Sequence, residues 1–177
     1  MTLWSTYPGL RFHWSAIQVA AAKHHLDPLL VAAVVIQESG ANTDGFRHER
    51  HFWNRYLKRK PEWSTLNPRR VSSSYGLMQI MFSTAVERGY AKNVPPEGLF
   101  VPEVGLDYGC KHLRHVVDWI DAKYPQATSQ ERLRATLASY NGGLQGPNAL
   151  RPDNRRYADS VLKLYNTLKT EIQPLIV

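Results

Sequence analysis

The sequence predicts a mainly α-helical fold in one domain. Three observations carry that prediction. Apolar residues recur at helical spacing along most of the chain. Residues that cap helices punctuate those stretches. No convincing stretch alternates apolar and polar residues as a half-buried strand does. The length of 177 residues suits a single domain with a real core. Apolar content of 43% and charged content of 21% fit a soluble globular chain. There is no internal repeat and no low-complexity segment, and no apolar run approaches the roughly 18–20 residues of a membrane span.

The elements follow in order. Phe12 to His25 carries Trp14, Ile17, Ala20 and Ala21 at helical spacing. Asp27-Pro28 is a helix start, an aspartate N-cap with proline at the first helical position. The helix from Pro28 to Ser39 is apolar almost all round, which predicts burial, and Gly40 can end it. Residues 41–75 form a long polar segment with many turn residues, which is usually functional at such a length. A short helix around His51 to Lys58 and a short β-hairpin within 41–75 are both allowed. Ser83 or Thr84 can cap a helix that runs to Arg88 and stops near Gly89. Pro102 to Lys123 reads as a long helix with Leu106, Leu113, Val116, Val117 and Ile120 inward. Thr128 and Glu131 make a capping box for a helix with Leu133, Leu137 and Tyr140, ended by Gly142-Gly143. A last helix, about Arg156 to Ile172, places Val161, Leu164, Tyr165 and Leu168 on one face.

Charge and cysteine usage narrow the classes. The net charge is +7 and the pI about 9.6, which attracts polyanions, nucleic acid and an anionic cell envelope alike. The densest basic patch runs from Arg55 to Lys60, with Arg69 and Arg70 behind it. No nucleic-acid reader motif is present, and prolines interrupt any basic recognition helix. The start, MTLWSTYPGLRFHW, lacks the basic and then apolar pattern of a secretory signal, so synthesis in a cytoplasm is expected. The single cysteine, Cys110, excludes an internal disulfide framework and reads as a small core residue. His112 and His115 share a helix face, yet no third ligand follows at the usual spacing, so no metal site and no cofactor is expected.

Three short segments carry polar groups at helix ends. Glu38 closes the apolar helix, where desolvation and the negative end of the helix dipole both raise a carboxyl pKa. Both effects favour the protonated form that a general acid needs. By position alone, a surface glutamate on a last helical turn is the commoner case. In SSSYGLMQI, Gly76 permits close backbone approach and Gln79 offers an amide that both donates and accepts. Leu77, Met78 and Ile80, taken alone, read as core. In ASYNGG, Tyr140 and Asn141 precede two helix-ending glycines.

Taken together, ESG at 38–40, GLMQ at 76–79 and SYNGG at 139–143 resemble, in this order, the soluble lytic transglycosylases. Their superfamily also contains goose-type lysozyme and is glycoside hydrolase family 23. The run GLMQIMFSTA is similar to the family's motif leading into a helix capped by Ser-Thr, and NRRYADSVLKLY matches a later tyrosine before an apolar helix. The resemblance covers about residues 12–168. It implies a lysozyme-like single domain over 1–177 around a glycan cleft; the segment 41–75 departs from the family as an insertion longer than its usual loop, and no separate wall-binding module is expected. FRHERHFWNRY in the insertion is similar to bacteriophage-type members, and Ser139 stands where alanine is usual.

The resemblance implies roles residue by residue. Glu38 is the catalytic acid and base. Ser39, Met78, Gln79, Tyr140, Asn141 and Tyr157 line the cleft, with Ser39, Tyr140 and Asn141 nearest the reacting sugar. The implied reaction cuts between N-acetylmuramic acid and N-acetylglucosamine of peptidoglycan and leaves a 1,6-anhydro ring, with the substrate's acetamido group replacing a second carboxylate. Asp44 or Glu49, if it faces the cleft, could instead hold a water and make the enzyme a lysozyme-like muramidase. The flanking Arg47 and Arg50 favour a structural role for Glu49. Phe52, Trp53 and Tyr56 either stack on sugars or anchor the loop. The implied setting is a monomeric phage endolysin, or a virion-associated lysin. It would be made in the host cytoplasm, reach the periplasmic wall after membrane permeabilisation and be drawn there by its basic surface. A nucleic-acid-binding helical protein and a sugar-binding tail protein without activity are the competing classes. Glu38 argues against the latter.

Overall fold

The computed structural model describes residues 1–144 and 152–172. Eleven α-helices are described: α1 (Leu3–Thr6), α2 (Pro8–Phe12), α3 (Trp14–Lys23), α4 (Pro28–Ser39), α5 (Arg50–Phe52), α6 (Pro61–Ser64), α7 (Pro68–Val71), α8 (Phe82–Glu87), α9 (Pro102–Lys123), α10 (Ser129–Gly142) and α11 (Pro152–Ile172). Three short strands, β1 (Phe46–His48), β2 (Ser73–Tyr75) and β3 (Ile80–Met81), form an antiparallel sheet in that order.

The apolar helix α4 is the centre of the molecule. The Asp27 carboxylate accepts from the Leu29 amide at 2.8 Å, and Pro28 needs no partner for a missing N–H. Every residue from Leu30 to Ile36 is buried, against α2, α3 and α11. Each buried leucine, isoleucine or valine contributes about 1.5–3 kcal/mol relative to exposure. Two consecutive left-handed residues, Gly40 (φ 61°) and Ala41 (φ 63°), then turn the chain out of the helix. Their amides reach back to Ile36 and Val35 and satisfy the helix's last carbonyls. Glu38 is thereby left on the last turn, at the edge of the core rather than inside it.

Sheet register follows from side-chain alternation. Phe46 pairs with Tyr75 and Arg47 with Ser74, while Ser74 and Tyr75 also pair with Met81 and Ile80. Arg47, Ser74 and Met81 therefore form one row across the three strands. The serines at the start of β2 are buried and bound to backbone: Ser72, just before the strand, donates to the Pro68 carbonyl at 2.7 Å, and Ser73 donates to the Arg69 carbonyl. Tyr75 adds a bond to the Arg70 carbonyl at 2.6 Å, so α7 is tied to the sheet.

The segment GLMQ is the turn between β2 and β3. Gly76 has φ 68°, and a Cβ there would lie 2.5 Å from the Leu99 carbonyl oxygen. Leu77 and Met78 point into the core around α4, where Met78 packs on Gly109 of α9. A Cβ on Gly109 would stand 2.8 Å from the Met78 Cβ, so the glycine sets how closely α9 approaches the turn. A second hydrophobic cluster, with Leu57, Trp63, Val71, Tyr75, Phe82, Tyr90 and Leu99, lies on the sheet side.

Several expectations are corrected here. The strand pair within 41–75 exists but is no short hairpin, because α5, a π-helical turn (Trp53–Leu57), α6 and α7 fill the connection. A third strand lies beyond that segment. The helix expected from Phe12 is two helices, α2 and α3, broken at His13. Neither Ser83 nor Thr84 caps α8, which begins one residue earlier with Met81 at its N-cap. The last helix starts at Pro152, ahead of the expected Arg156. The Thr128–Glu131 capping box and the bounds of α9 are as the sequence predicts.

Candidate active site

A cleft of about 540 Å³ separates the two hydrophobic clusters. Glu38 lies in its wall, with Arg47, Glu49, Gln79, Tyr140 and Asn141. Several parts of the chain meet there, among them the end of α4, the sheet row, the β2–β3 turn and the end of α10.

Glu38 is half-buried, and burial raises its carboxyl pKa above the ordinary carboxylate range. Two groups pull the other way. The Tyr157 hydroxyl of α11 donates to Glu38 Oε1 at 2.6 Å, and the Arg47 charge favours the ionised form. The side chain is thus suited both to hold a proton and to let it go. Burial beside Glu38 pushes the Tyr157 phenol well above its usual range, so it remains a neutral donor.

Gln79 adopts φ 46°, a left-handed conformation that few non-glycine residues take. Its amide is fixed on both sides: Oε1 accepts from Ser74 Oγ at 2.9 Å, and Nε2 donates to the Gly76 carbonyl at 3.0 Å. One N–H and one lone pair of the amide remain for a ligand. Tyr140 donates to the Met78 carbonyl at 2.9 Å, which locks the turn to α10. Asn141 is exposed at the cleft.

Ser39, Met78 and Tyr157, expected to line the cleft, are not among its lining residues, although Tyr157 reaches Glu38 from α11, and Asp44, which could have faced it, does not. The Ser39 hydroxyl donates to the carbonyls of Val35 (3.1 Å) and Leu77 (2.9 Å), so it joins α4 to the turn. The Met78 side chain is fully buried, and only its carbonyl serves the site, through Tyr140. Asp44 is exposed outside the cleft lining, with its amide bound to Asn42 Oδ1. Glu49 does line the cleft, but Arg47 Nε holds its carboxylate at 2.5 Å. Phe52 and Tyr56 line the cleft, whereas Trp53 packs on the second cluster.

The Transglycosylase SLT domain family matches residues 15–160. The chain belongs to that family. The match embraces every residue that lines the cleft. The fold of this family member is similar to the X-ray structure of an inactive mutant of the lytic transglycosylase Slt from Pseudomonas aeruginosa, with a TM-score of 0.59 and 18% identity. The likeness covers 86% of this chain and 23% of that one, so the chain spans about a quarter of the length of the protein it matches. A search of curated proteins finds no match.

Sequence reasoning missed part of this SLT domain's cleft. Thr84, Arg88 and His112 also line it. His112 carried a legible signal: it is three residues after Gly109 and four before Val116, both buried, so it shares their helical face. Burial, with the Arg88 and His115 charges nearby, pushes its pKa down to about 4. No sequence signal marked Arg88, which follows the last residue of α8.

Proposed function

We propose that the chain is a peptidoglycan lytic transglycosylase with Glu38 as its only acid and base. The observation that carries this reading is a half-buried carboxyl in a cleft, with its pKa raised by burial and its ionised form supported by the Tyr157 hydroxyl. Protonated Glu38 gives its proton to the glycosidic oxygen between N-acetylmuramic acid and N-acetylglucosamine. The C1–O bond breaks, and the acetamido oxygen of the same sugar stabilises the positive C1 centre. Glu38 is now a carboxylate, supported by Tyr157 and Arg47. It takes the proton of the muramyl C6 hydroxyl while that oxygen bonds to C1. A 1,6-anhydro ring forms, no water is consumed, and Glu38 is again protonated.

The competing reading is a muramidase in which a second carboxylate activates water. Glu49 favours it by lining the cleft, but its carboxylate is engaged by Arg47 Nε rather than free to hold a water. Mass spectrometry of digested sacculi separates the two. Anhydro-muramyl ends are expected, and reducing muramyl ends alone would overturn the transglycosylase reading.

The finer setting is a phage endolysin that acts as a monomer on the periplasmic wall. Its support is the likeness of FRHERHFWNRY to phage-type sequences and the net charge of +7, which suits an anionic envelope. No described helix is long and apolar enough to cross a membrane. Expressed in a Gram-negative host, the protein is expected to lyse cells only when a permeabilising agent opens the inner membrane. Finding it in purified phage particles would favour the virion-associated role.

A further inference from the structure

We propose that the outward face of residues 50–60 is a docking surface for anionic phospholipid headgroups, which holds the chain on a membrane beside its own cleft. The stretch contains Arg50, Arg55, Lys58, Arg59 and Lys60 and no Asp or Glu, against a net charge of +7 for the whole chain. All five residues are exposed, and none is in an ion pair among the described residues. Elsewhere Arg70, Arg114, Arg132 and Arg134 each hold a carboxylate within 3.0 Å. The nearest acids in the chain leave the five unanswered. Glu49 is taken by Arg47, and Glu62 pairs with none of them. Crowded like charges repel one another, and an anionic partner relieves that repulsion.

The face is held in place from behind. Leu57 is buried in the second hydrophobic cluster, and Phe52 and Trp53 pack against it. The π-helical turn is closed by the Lys58 amide on the Trp53 carbonyl at 3.0 Å. The long basic side chains can lie their apolar stems along the surface and keep the charges outward. Tyr56 stands among them, 42% exposed, with the Arg55 guanidinium 5.4 Å from its ring centroid. An exposed aromatic ring set among cations suits a headgroup layer, where charge and an apolar edge meet, better than a soluble polyanion, which offers charge alone. None of the five cations lines the cleft, so their partner is an extended surface and not a molecule seated in that cavity. Tyr56 does line it, and docking by this face therefore keeps the cleft beside the headgroups. The proposal concerns where the chain sits and is independent of the reaction at Glu38.

The test is sedimentation of the full chain with vesicles of phosphatidylcholine alone and of phosphatidylcholine mixed with phosphatidylglycerol. Binding to the mixed vesicles is expected, falling as salt shortens the screening length from about 8 Å at 0.15 M to about 3 Å at 1 M. Each Lys or Arg at an anionic leaflet strengthens binding about fivefold. Lys58→Gln, Arg59→Gln and Lys60→Gln combined should therefore weaken it about 100-fold. Arg11→Gln, Lys111→Gln and Lys163→Gln combined remove the same charge from α2, α9 and α11 and should cost less than about tenfold. Thermal melting checks that both proteins fold. If the first does not, Lys58→Gln with Arg59→Gln carries the comparison against Arg11→Gln with Lys163→Gln. Equal losses in the two variants would make net charge the cause and overturn the patch. Equal binding to both vesicle types overturns the selection for anionic lipid. Binding of inorganic polyphosphate through Lys58, Arg59 and Lys60, with no binding to vesicles, overturns the membrane as the partner. Because no arm reads glycan cleavage, each of these results leaves the reading of the cleft untouched.

Discussion

Glu38 answers to its burial and to two neighbours, Tyr157 and Arg47, and substitution tests its role. Replacing it with glutamine removes the proton donor, and general acid–base catalysis typically accounts for about 10²–10⁴-fold in rate. Glu38→Gln is expected to lose at least about 100-fold in turbidity clearing of sacculi, and clearing at the parent's rate would end the assignment. The same variant tests the burial argument through stability. The folded state raises the Glu38 pKa, so the penalty for its charge is absent below the ordinary carboxylate range and grows as pH rises through the raised value. Glu38→Gln should therefore melt above the parent at pH 7 and level with it near pH 4. Tyr157→Phe acts in the opposite sense to Arg47. Loss of the 2.6 Å hydrogen bond removes support from the carboxylate, so the Glu38 pKa rises further. The basic limb of the kcat/KM profile should move to higher pH, and an unmoved limb would show that Tyr157 does not set the acid.

At the scale of elements, the site depends on how closely α9 meets the β2–β3 turn. That turn carries Gln79 outward, Met78 inward, and the carbonyl that holds Tyr140. Gly109→Ala would gain about 1 kcal/mol from helix propensity in an exposed helix. Here the new methyl would stand 2.5 Å from Met78 Sδ and 2.8 Å from its Cβ. Overpacking of this kind costs about 1–3 kcal/mol, so the variant is expected to melt below the parent. The turn would also shift and carry the Tyr140 anchor with it, so activity should fall more than the melting temperature suggests. A more stable Gly109→Ala protein would mean that the turn yields without strain. The correction to the start of α8 has a tertiary cause. Ser83, a good capping residue in isolation, is buried without a hydrogen-bond partner among the described residues because α8 packs on the second cluster, and Met81 at the N-cap belongs to the sheet. Tertiary packing overrode the local capping preference.

For the whole molecule, the cleft is a boundary between two hydrophobic clusters rather than a feature of either. The net charge of +7 acts over a longer range. At about 0.15 M salt the screening length is about 8 Å, so raising salt should weaken capture of anionic sacculi while leaving the chemistry at Glu38 alone. The apparent KM on sacculi is expected to rise with salt at constant kcat, and a salt-independent KM would remove the charge from the account. Much was legible before any coordinates. Residues 28–39 announced a buried helix with a carboxylate at its end, because an apolar run from Pro28 to Ile36 with Asp27 before it and Gly40 soon after it has few other solutions. The three motifs were legible for the same reason: each needs a particular residue for a local backbone purpose, such as Gly76 at φ 68°. What could not be read was direction. Ser39, Met78 and Gln79 all stand in matching motifs, yet Ser39 spends its hydroxyl on two carbonyls, Met78 is buried, and only Gln79 faces the cleft. The pairing of Arg47 with Glu49, and the meeting of Arg88 with His112 across 24 positions, were equally hidden. Caps, turns and apolar periods are set by neighbours along the chain, and a sequence records those. Which side chains share a cavity is set by how distant elements pack, and only the folded chain holds that information.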